Sequence, residues 1–185
     1  MNVFVLCTGR CGSVTFSKAC AHITNYTSGH ETRISQIGDE RLAFADNHIE
    51  VDNRLSWVLG RLDRVYGDKA AYVHLTRDRA AVAKSLSKRF TFGIMKAYRQ
   101  GVLMKGYQRR ALLDPRMRSS NLDIALDYIE TVESNIALFL ANKSNVTRVR
   151  LETAKEDFPV FWRTIGAEGD MTAAVGEWSA RYNAS

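Results

Sequence analysis

The residues that could do chemistry begin near the start of the chain. Residues 6–16 read Leu-Cys-Thr-Gly-Arg-Cys-Gly-Ser-Val-Thr-Phe and directly follow the apolar run Val3-Phe4-Val5. This pattern predicts a buried strand, a glycine-containing turn and then a helix. The turn amides and the first N–H groups of the helix would point to one place, where the helix dipole favours negative charge. The sequence therefore predicts a phosphate or sulfate site in this turn.

Spacing excludes two well-known anion loops. A Walker A loop has the pattern Gly-x4-Gly-Lys-Ser/Thr, but the position of its second glycine is occupied by Val14. A cysteine phosphatase loop has the pattern Cys-x5-Arg, and the positions that would need arginine hold Ser13, Ser17 and Tyr26. The cation of this shorter loop is therefore Arg10, with hydroxyls at Ser13 and Thr15.

A second polar cluster follows another apolar run. Ala71-Tyr72-Val73-His74-Leu75 leads into Thr76-Arg77-Asp78-Arg79, and Ser85 follows in a segment with a helical pattern. A guanidinium offers a planar fork for a phosphate, and a hydroxyl adds one donor. Taken alone, Arg77 is more often part of a surface salt bridge and Ser85 a solvated helix residue. Two anion sites at neighbouring strand ends would suit a ligand with two separated anionic groups.

Alternating strand and helix patterns predict an α/β fold. We expect one three-layer αβα domain over residues 1–185, with a central parallel sheet and the loops after residues 7, 75 and 151 facing one crevice. The expected strands are 3–7, 48–51, 71–75 and 147–151. The expected helices are 13–23, 53–66, 79–90, 92–113, 121–142, 155–165 and 170–182, and residues 24–47 are expected to be irregular.

Composition narrows the possible partners. The formal net charge is +6 and the pI is near 9.4, which favours an anionic ligand. Zinc-finger spacing, RNA-binding aromatic motifs and an arginine-rich tail are missing from the sequence, so nucleic acid is not the expected partner. The three cysteines are odd in number, and the sequence has neither a basic leader nor a long apolar stretch. We expect a soluble cytoplasmic protein without a membrane partner.

The two polar clusters together resemble signatures of the sulfotransferases that use 3′-phosphoadenylyl sulfate (PAPS). Residues 6–13 resemble the family's loop for the 5′-phosphosulfate, and residues 73–78 with Ser85 resemble its element for the 3′-phosphate. The resemblance implies a P-loop NTPase-like fold, PAPS as the sulfate donor, adenosine 3′,5′-bisphosphate (PAP) as the product and no required metal. It also implies that the donor is bound by Arg10, Cys11, Gly12, Ser13, Val14, Thr15, Arg77 and Ser85.

Sulfuryl transfer also needs a base that takes the acceptor's proton. Gly29-His30-Glu31, followed later by Ser56-Trp57, resembles an arrangement in some bacterial sulfotransferases. Glu31 is the first candidate for the base, and His30 would orient it or act itself. His48 and Glu50 remain alternatives.

The acceptor side is less defined. Residues 89–118 hold eight basic residues and one acidic residue, together with Tyr98 and Tyr107. This segment is either a solvated helix face or a wall for a polar or anionic acceptor, such as a carbohydrate or another small molecule. Two other functions stay open: a non-catalytic module that binds a nucleotide or an anionic polymer, and a P-loop kinase or NTPase in which Asp78 would hold magnesium.

Overall fold

The computed structural model describes residues 1–91, 93–103, 119–180 and 182. They group into two compact units. The first combines Met1–Arg77 with the residues from Val132 onward, and the second spans Asp78–Thr131. In the described part of the chain, no helix has both the length and the apolar character needed to cross a membrane.

The first unit is built on a parallel sheet of five strands. They are β1 Val3–Leu6, β2 Thr27–His30, β3 His48–Val51, β4 Ala71–Thr76 and β5 Val146–Arg150. The spatial order is β2-β3-β1-β4-β5, and every neighbouring pair is parallel. The carboxyl ends of all five strands therefore lie at one edge of the sheet. This confirms the expected parallel sheet and the common edge for the loops after β1, β4 and β5.

Seven α-helices connect or follow these strands in the described residues. They are α1 Ser13–Cys20, α2 Leu59–Tyr66, α3 Arg79–Leu86, α4 Ile94–Ala97, α5 Asn121–Leu140, α6 Ala154–Thr164 and α7 Met171–Gly176. Helices α3 and α4 belong to the second unit, and α5 contributes residues to both units.

Strand residues alternate between two covered faces of the sheet. On one face, Val3 and Val5 are fully buried in a cluster with Phe16, Phe158 and Phe161 from α1 and α6. On the other face, the ring of Phe4 lies 4.6 Å from that of Tyr66 at the end of α2. Tyr72 meets Phe139 of α5 on this second face, with ring centroids 5.1 Å apart. Helices on both faces make the three-layer α/β arrangement expected of a P-loop-like αβα fold.

One strand was missed by the sequence reading. Residues 24–47 were expected to be irregular, yet Thr27–His30 forms β2. This strand pairs only with β3 at the edge of the sheet, and its four residues are polar or glycine. An edge strand needs little apolar surface, so the alternation that marks a half-buried strand is missing here.

The expected helix over 53–66 was also wrong in its first half. Residues 53–57 form a 3-10 turn, and α2 begins only at Leu59. The carboxylate of Asp52 accepts from the backbone N–H of Arg54, and Val58 has the non-helical φ of −127°. Helix α1 ends at Cys20 and α3 at Leu86, earlier than expected.

Part of the basic segment lies outside the described residues. Of the acceptor-side candidates, Arg89, Lys96, Tyr98 and Arg99 belong to the described second unit. Lys105, Tyr107, Arg109, Arg110, Arg116 and Arg118 lie outside the described residues.

Candidate anion-binding site

The turn after β1 has a backbone shape suited to an anion. Gly9, Arg10 and Gly12 have positive φ angles of 80°, 61° and 92°. Neighbouring left-handed residues turn successive N–H groups towards one concavity, which is a common anion-binding arrangement. Helix α1 starts directly afterwards at Ser13, so its first N–H groups add to the same positive end.

Both glycines of the turn are tightly packed. A Cβ atom on Gly9 would lie 2.5 Å from Asn53 Nδ2, and one on Gly12 would lie 2.7 Å from Leu151 Cδ1. Asn53 follows β3 and Leu151 follows β5. The turn is therefore held between the chain segments that leave two other strands. Glycine is favoured at both positions by the positive φ angles, and a side chain there would also displace Asn53 or Leu151.

The structure brings Arg77 to this turn. Its Nη1 donates to the backbone carbonyl of Arg10 at 3.1 Å. Arg77 directly follows β4, which is the neighbour of β1 in the sheet. Arg10 of the first polar cluster and Arg77 of the second therefore meet at one edge of the sheet. Ser85 lies half-buried in α3, within the second unit, so its pairing with Arg77 around one phosphate stays a prediction.

The side chains of the turn differ in exposure. Ser13 and Val14 are half-buried, whereas Thr15 is 6% exposed. Cys11 is fully buried, and its hydrogen bond to Cys7 raises the pKa of the Cys7 thiol, as does burial. Cys11 therefore offers the turn its backbone N–H rather than an accessible thiol.

Two candidate bases lie at the end of β2. His30 Nε2 is 3.2 Å from Ser13 Oγ, which links β2 to the start of α1. The next residue, Glu31, has a φ of +55° and forms an ion pair with Arg54, with 2.6 Å between Oε2 and Nη1. Positive φ in a residue with a side chain costs on the order of 1–3 kcal/mol and is often found at functional sites.

The other two candidates, His48 and Glu50, take part in a largely buried hydrogen-bonded network. Glu50 is fully buried and accepts from the N–H and hydroxyl of Thr32, each at 2.7 Å. His48 Nε2 lies 3.0 Å from the same carboxylate, and its ring stacks on Phe44. Burial would raise the pKa of Glu50, but the hydrogen bonds from His48 and Thr32 outweigh it and hold this pKa below the usual value. These contacts give Glu50 a structural role.

A group of polar residues at the end of β3 was not singled out from the sequence. Asp52 is fully buried and forms an ion pair with Arg41, which is 7% exposed. Burial raises the pKa of Asp52, although the Arg54 N–H and Arg41 act in the opposite direction. Asp52, Asn53 and Arg54 follow β3, whose sequence His-Ile-Glu-Val is only half apolar. The apolar-run signal that marked Arg10 and Arg77 is therefore weaker here.

Asp78 serves as a helix cap. Its side chain accepts from the backbone N–H of Ala81 at 2.8 Å at the start of α3. This contact gives a structural role to the carboxylate that a kinase would use for magnesium. Within the described ranges, no group of three or more histidine, cysteine, aspartate or glutamate side chains is placed to hold a metal ion.

No protein-family model and no curated protein sequence matches this chain. One similar solved structure is the YorR protein from Bacillus subtilis in complex with phosphorylated GDP. The two chains are 14% identical with a TM-score of 0.45, and the match covers 91% of this chain and 99% of YorR. The strand order of this chain and the helices on both faces of its sheet define the α/β fold.

Proposed function

We propose that this protein transfers a sulfuryl group from PAPS to a hydroxyl or amine of a polar acceptor. The observation that carries the proposal is the hydrogen bond from Arg77 to the Arg10 carbonyl. It unites the two segments that resemble the donor-binding signatures of the PAPS-dependent sulfotransferases. Each segment alone is a generic feature of α/β proteins, and their meeting at one sheet edge suits a nucleotide with two anionic ends.

The residues of the turn suit the departing end of the donor. In an in-line displacement, the acceptor oxygen or nitrogen attacks sulfur as the bond from sulfur to the phosphate oxygen breaks, and PAP leaves. Negative charge then grows on the leaving phosphate, where cationic and N–H donors lower the barrier. The turn amides and Arg10 would stabilise this phosphate, and the hydroxyls of Ser13 and Thr15 would hold the bridging region.

Glu31 is our candidate for the group that takes the acceptor's proton. It directly follows His30, whose ring contacts Ser13 at the start of α1. Glu31 is also partly accessible, with 24% of its side chain exposed. Glu50 is less suited to this step because its buried oxygens already accept from Thr32 and His48.

The nucleotide site is tested by titrating PAP into the wild-type protein and an Arg77→Ala variant. Hydrogen bonds to charged groups contribute about 1.5–3 kcal/mol, so the variant should bind PAP about 10–100-fold more weakly. Arg77→Lys, which keeps the charge but loses the planar fork, should lie between them. Arg163→Ala, an exposed arginine on α6, is the control and should bind like wild type.

Transfer is tested by incubating the protein with PAPS and a panel of hydroxyl and amine acceptors, with PAP formation as the readout. Acceptor-dependent PAP formation supports an enzyme, and Glu31→Gln should abolish most of it. PAP binding without turnover on any acceptor would instead favour the non-catalytic nucleotide-binding module. Magnesium-dependent ATP binding in place of PAP binding would favour a kinase or NTPase.

A further inference from the structure

A third arginine, Arg54, is held by two chain segments that contact the anion-binding turn and the start of α1. Arg54 follows Asn53, whose side-chain amide packs against Gly9. A Cβ atom added to Gly9 would lie 2.5 Å from Asn53 Nδ2. Arg54 also pairs with Glu31, the neighbour of the residue that contacts Ser13. Both chain segments that hold Arg54 thus touch the turn, one at its start and one at the beginning of α1. Arg54 is thus one residue from a contact to Gly9, and its ion-pair partner Glu31 is one residue from a contact to Ser13.

The backbone of Arg54 is fixed more firmly than its side chain. Its N–H donates to Asp52 at 2.8 Å, and Asp52 is fully buried against Arg41. The side chain of Arg54 is 45% exposed, and its partner Glu31 is 24% exposed. The guanidinium can therefore change partners while its backbone stays in place.

The ion pair between Arg54 and Glu31 is weak enough to be exchanged. Partly exposed pairs contribute about 0–1 kcal/mol. An anionic group that meets the planar guanidinium with two oxygens is a stronger, charge-assisted partner. A bound sulfuryl group, with its non-bridging oxygens, would be such a partner.

We propose that Arg54 binds the transferred sulfuryl group and, in doing so, releases Glu31. This inference rests on the proposed function and adds a residue that contacts the reacting group. Before the donor binds, Arg54 forms an ion pair with the Glu31 carboxylate. When the sulfuryl oxygens bind the Arg54 guanidinium, the Glu31 carboxylate loses its ion pair and becomes available to accept the proton of the acceptor. Donor binding and the activation of the base are thereby coupled through one arginine.

The test compares PAPS with PAP, because PAP lacks the sulfuryl group. Arg54→Ala should weaken PAPS binding about 10–100-fold, which matches about 1.4–2.8 kcal/mol, and should leave PAP binding unchanged. Arg54→Lys should recover part of the loss. Arg33→Ala is the matched control, since Arg33 is also partly exposed and pairs with a glutamate, Glu40. It should alter neither affinity.

Glu31→Gln provides an independent readout. This variant frees Arg54 from its charged partner, so PAPS should bind at least as tightly as to wild type while turnover falls. Equal loss of PAPS and PAP affinity in Arg54→Ala, or no loss of either, would overturn the role of Arg54 and leave the proposed function intact. Wild-type protein that binds neither nucleotide would contradict the proposed function and this inference with it.

Discussion

At the scale of single residues, the contacts of Glu50 and Glu31 distinguish a carboxylate with a structural role from one that could accept a proton. His48 and Glu50 lie two positions apart on β3, so they share one face of the sheet. There they meet Phe44 and Thr32 in a hydrogen-bonded network. Glu31 has a single exposed cation as its ion-pair partner in the described residues. These different surroundings support Glu31, rather than Glu50, as the candidate base.

The Glu50 network predicts a pH-dependent contribution to stability. Glu50→Gln should lower the free energy of unfolding at neutral pH by about 1–3 kcal/mol, because it leaves a buried donor without an acceptor. The folded-state pKa of Glu50 lies below its ordinary value of 4.5. The stabilisation by the ionised carboxylate is therefore present above that value and is lost as the pH falls through the folded-state pKa.

Denaturant unfolding of wild type and Glu50→Gln at neutral pH and below pH 4.5 measures this effect. The difference between the two proteins should shrink at the lower pH. Glu40→Gln is the control, since Glu40 is 74% exposed and its ion pair with Arg33 is on the surface. It should change stability by less than about 1 kcal/mol. A difference for Glu50→Gln that is independent of pH would contradict the ionised network.

The sequence identified Arg10 and Arg77 because Arg10 lies in the glycine turn after one apolar strand and Arg77 directly follows another. Arg54 follows β3, which is only half apolar, and its significance depends on Glu31 and on the packing of Asn53 against Gly9. These contacts join segments that are distant along the chain. Residue spacing carries no record of such pairings, so the arginine was missed.

At the scale of elements, the turn between β1 and α1 combines left-handed backbone conformations with close packing. The positive φ of Gly12 and the proximity of Leu151 leave little room for any side chain. The strand and helix on either side were predicted from apolar runs and glycine placement. The edge strand β2 was not predicted, because Thr27–His30 contains no apolar side chain to mark it.

Gly12→Ala should disturb both stability and anion binding. An L-residue in the left-handed region costs about 1–2 kcal/mol, and the added methyl group must also displace the side chain of Leu151. We expect a lower free energy of unfolding and weaker PAP binding, measured by denaturant unfolding and by titration.

Gly60→Ala is the matched control for this change. Gly60 lies in α2, and a Cβ atom there would meet no atom within 4 Å. Alanine should stabilise the helix by about 0.5–1 kcal/mol and leave PAP binding unaltered. Wild-type stability and affinity in Gly12→Ala would show that the turn does not need its left-handed backbone.

At the scale of the whole molecule, the first unit is stabilised by aromatic side chains that reach the functional edge. Phe16 of α1 packs on Phe158 and Phe161 of α6, with ring centroids 5.3 and 5.1 Å away. Trp178 packs on Phe16, and its ring also lies 3.6 Å from the Cβ position of Gly12. The core on this face is therefore continuous with the anion-binding turn.

Removing one ring from this core should be costly. Phe161→Ala is expected to lower the free energy of unfolding by about 3–5 kcal/mol, because a cavity replaces a fully buried side chain. Leu138→Ala is the control, since Leu138 is 75% exposed and its truncation should change stability by less than about 0.5 kcal/mol. Thermal or denaturant unfolding measures the free energy of unfolding of both variants. A loss for Phe161→Ala as small as that for Leu138→Ala would contradict a tightly packed core.

The backbone of Glu31 has a consequence for the engineering of this protein. Its φ of +55° suits glycine better than any residue with a side chain. A selection for heat resistance would therefore favour Glu31→Gly, even though that change removes the carboxylate that our proposal needs. At this position, the residue that favours stability differs from the residue that favours activity. If variants selected for activity alone keep an acidic residue at position 31, the carboxylate is worth more to activity than the glycine would be to stability.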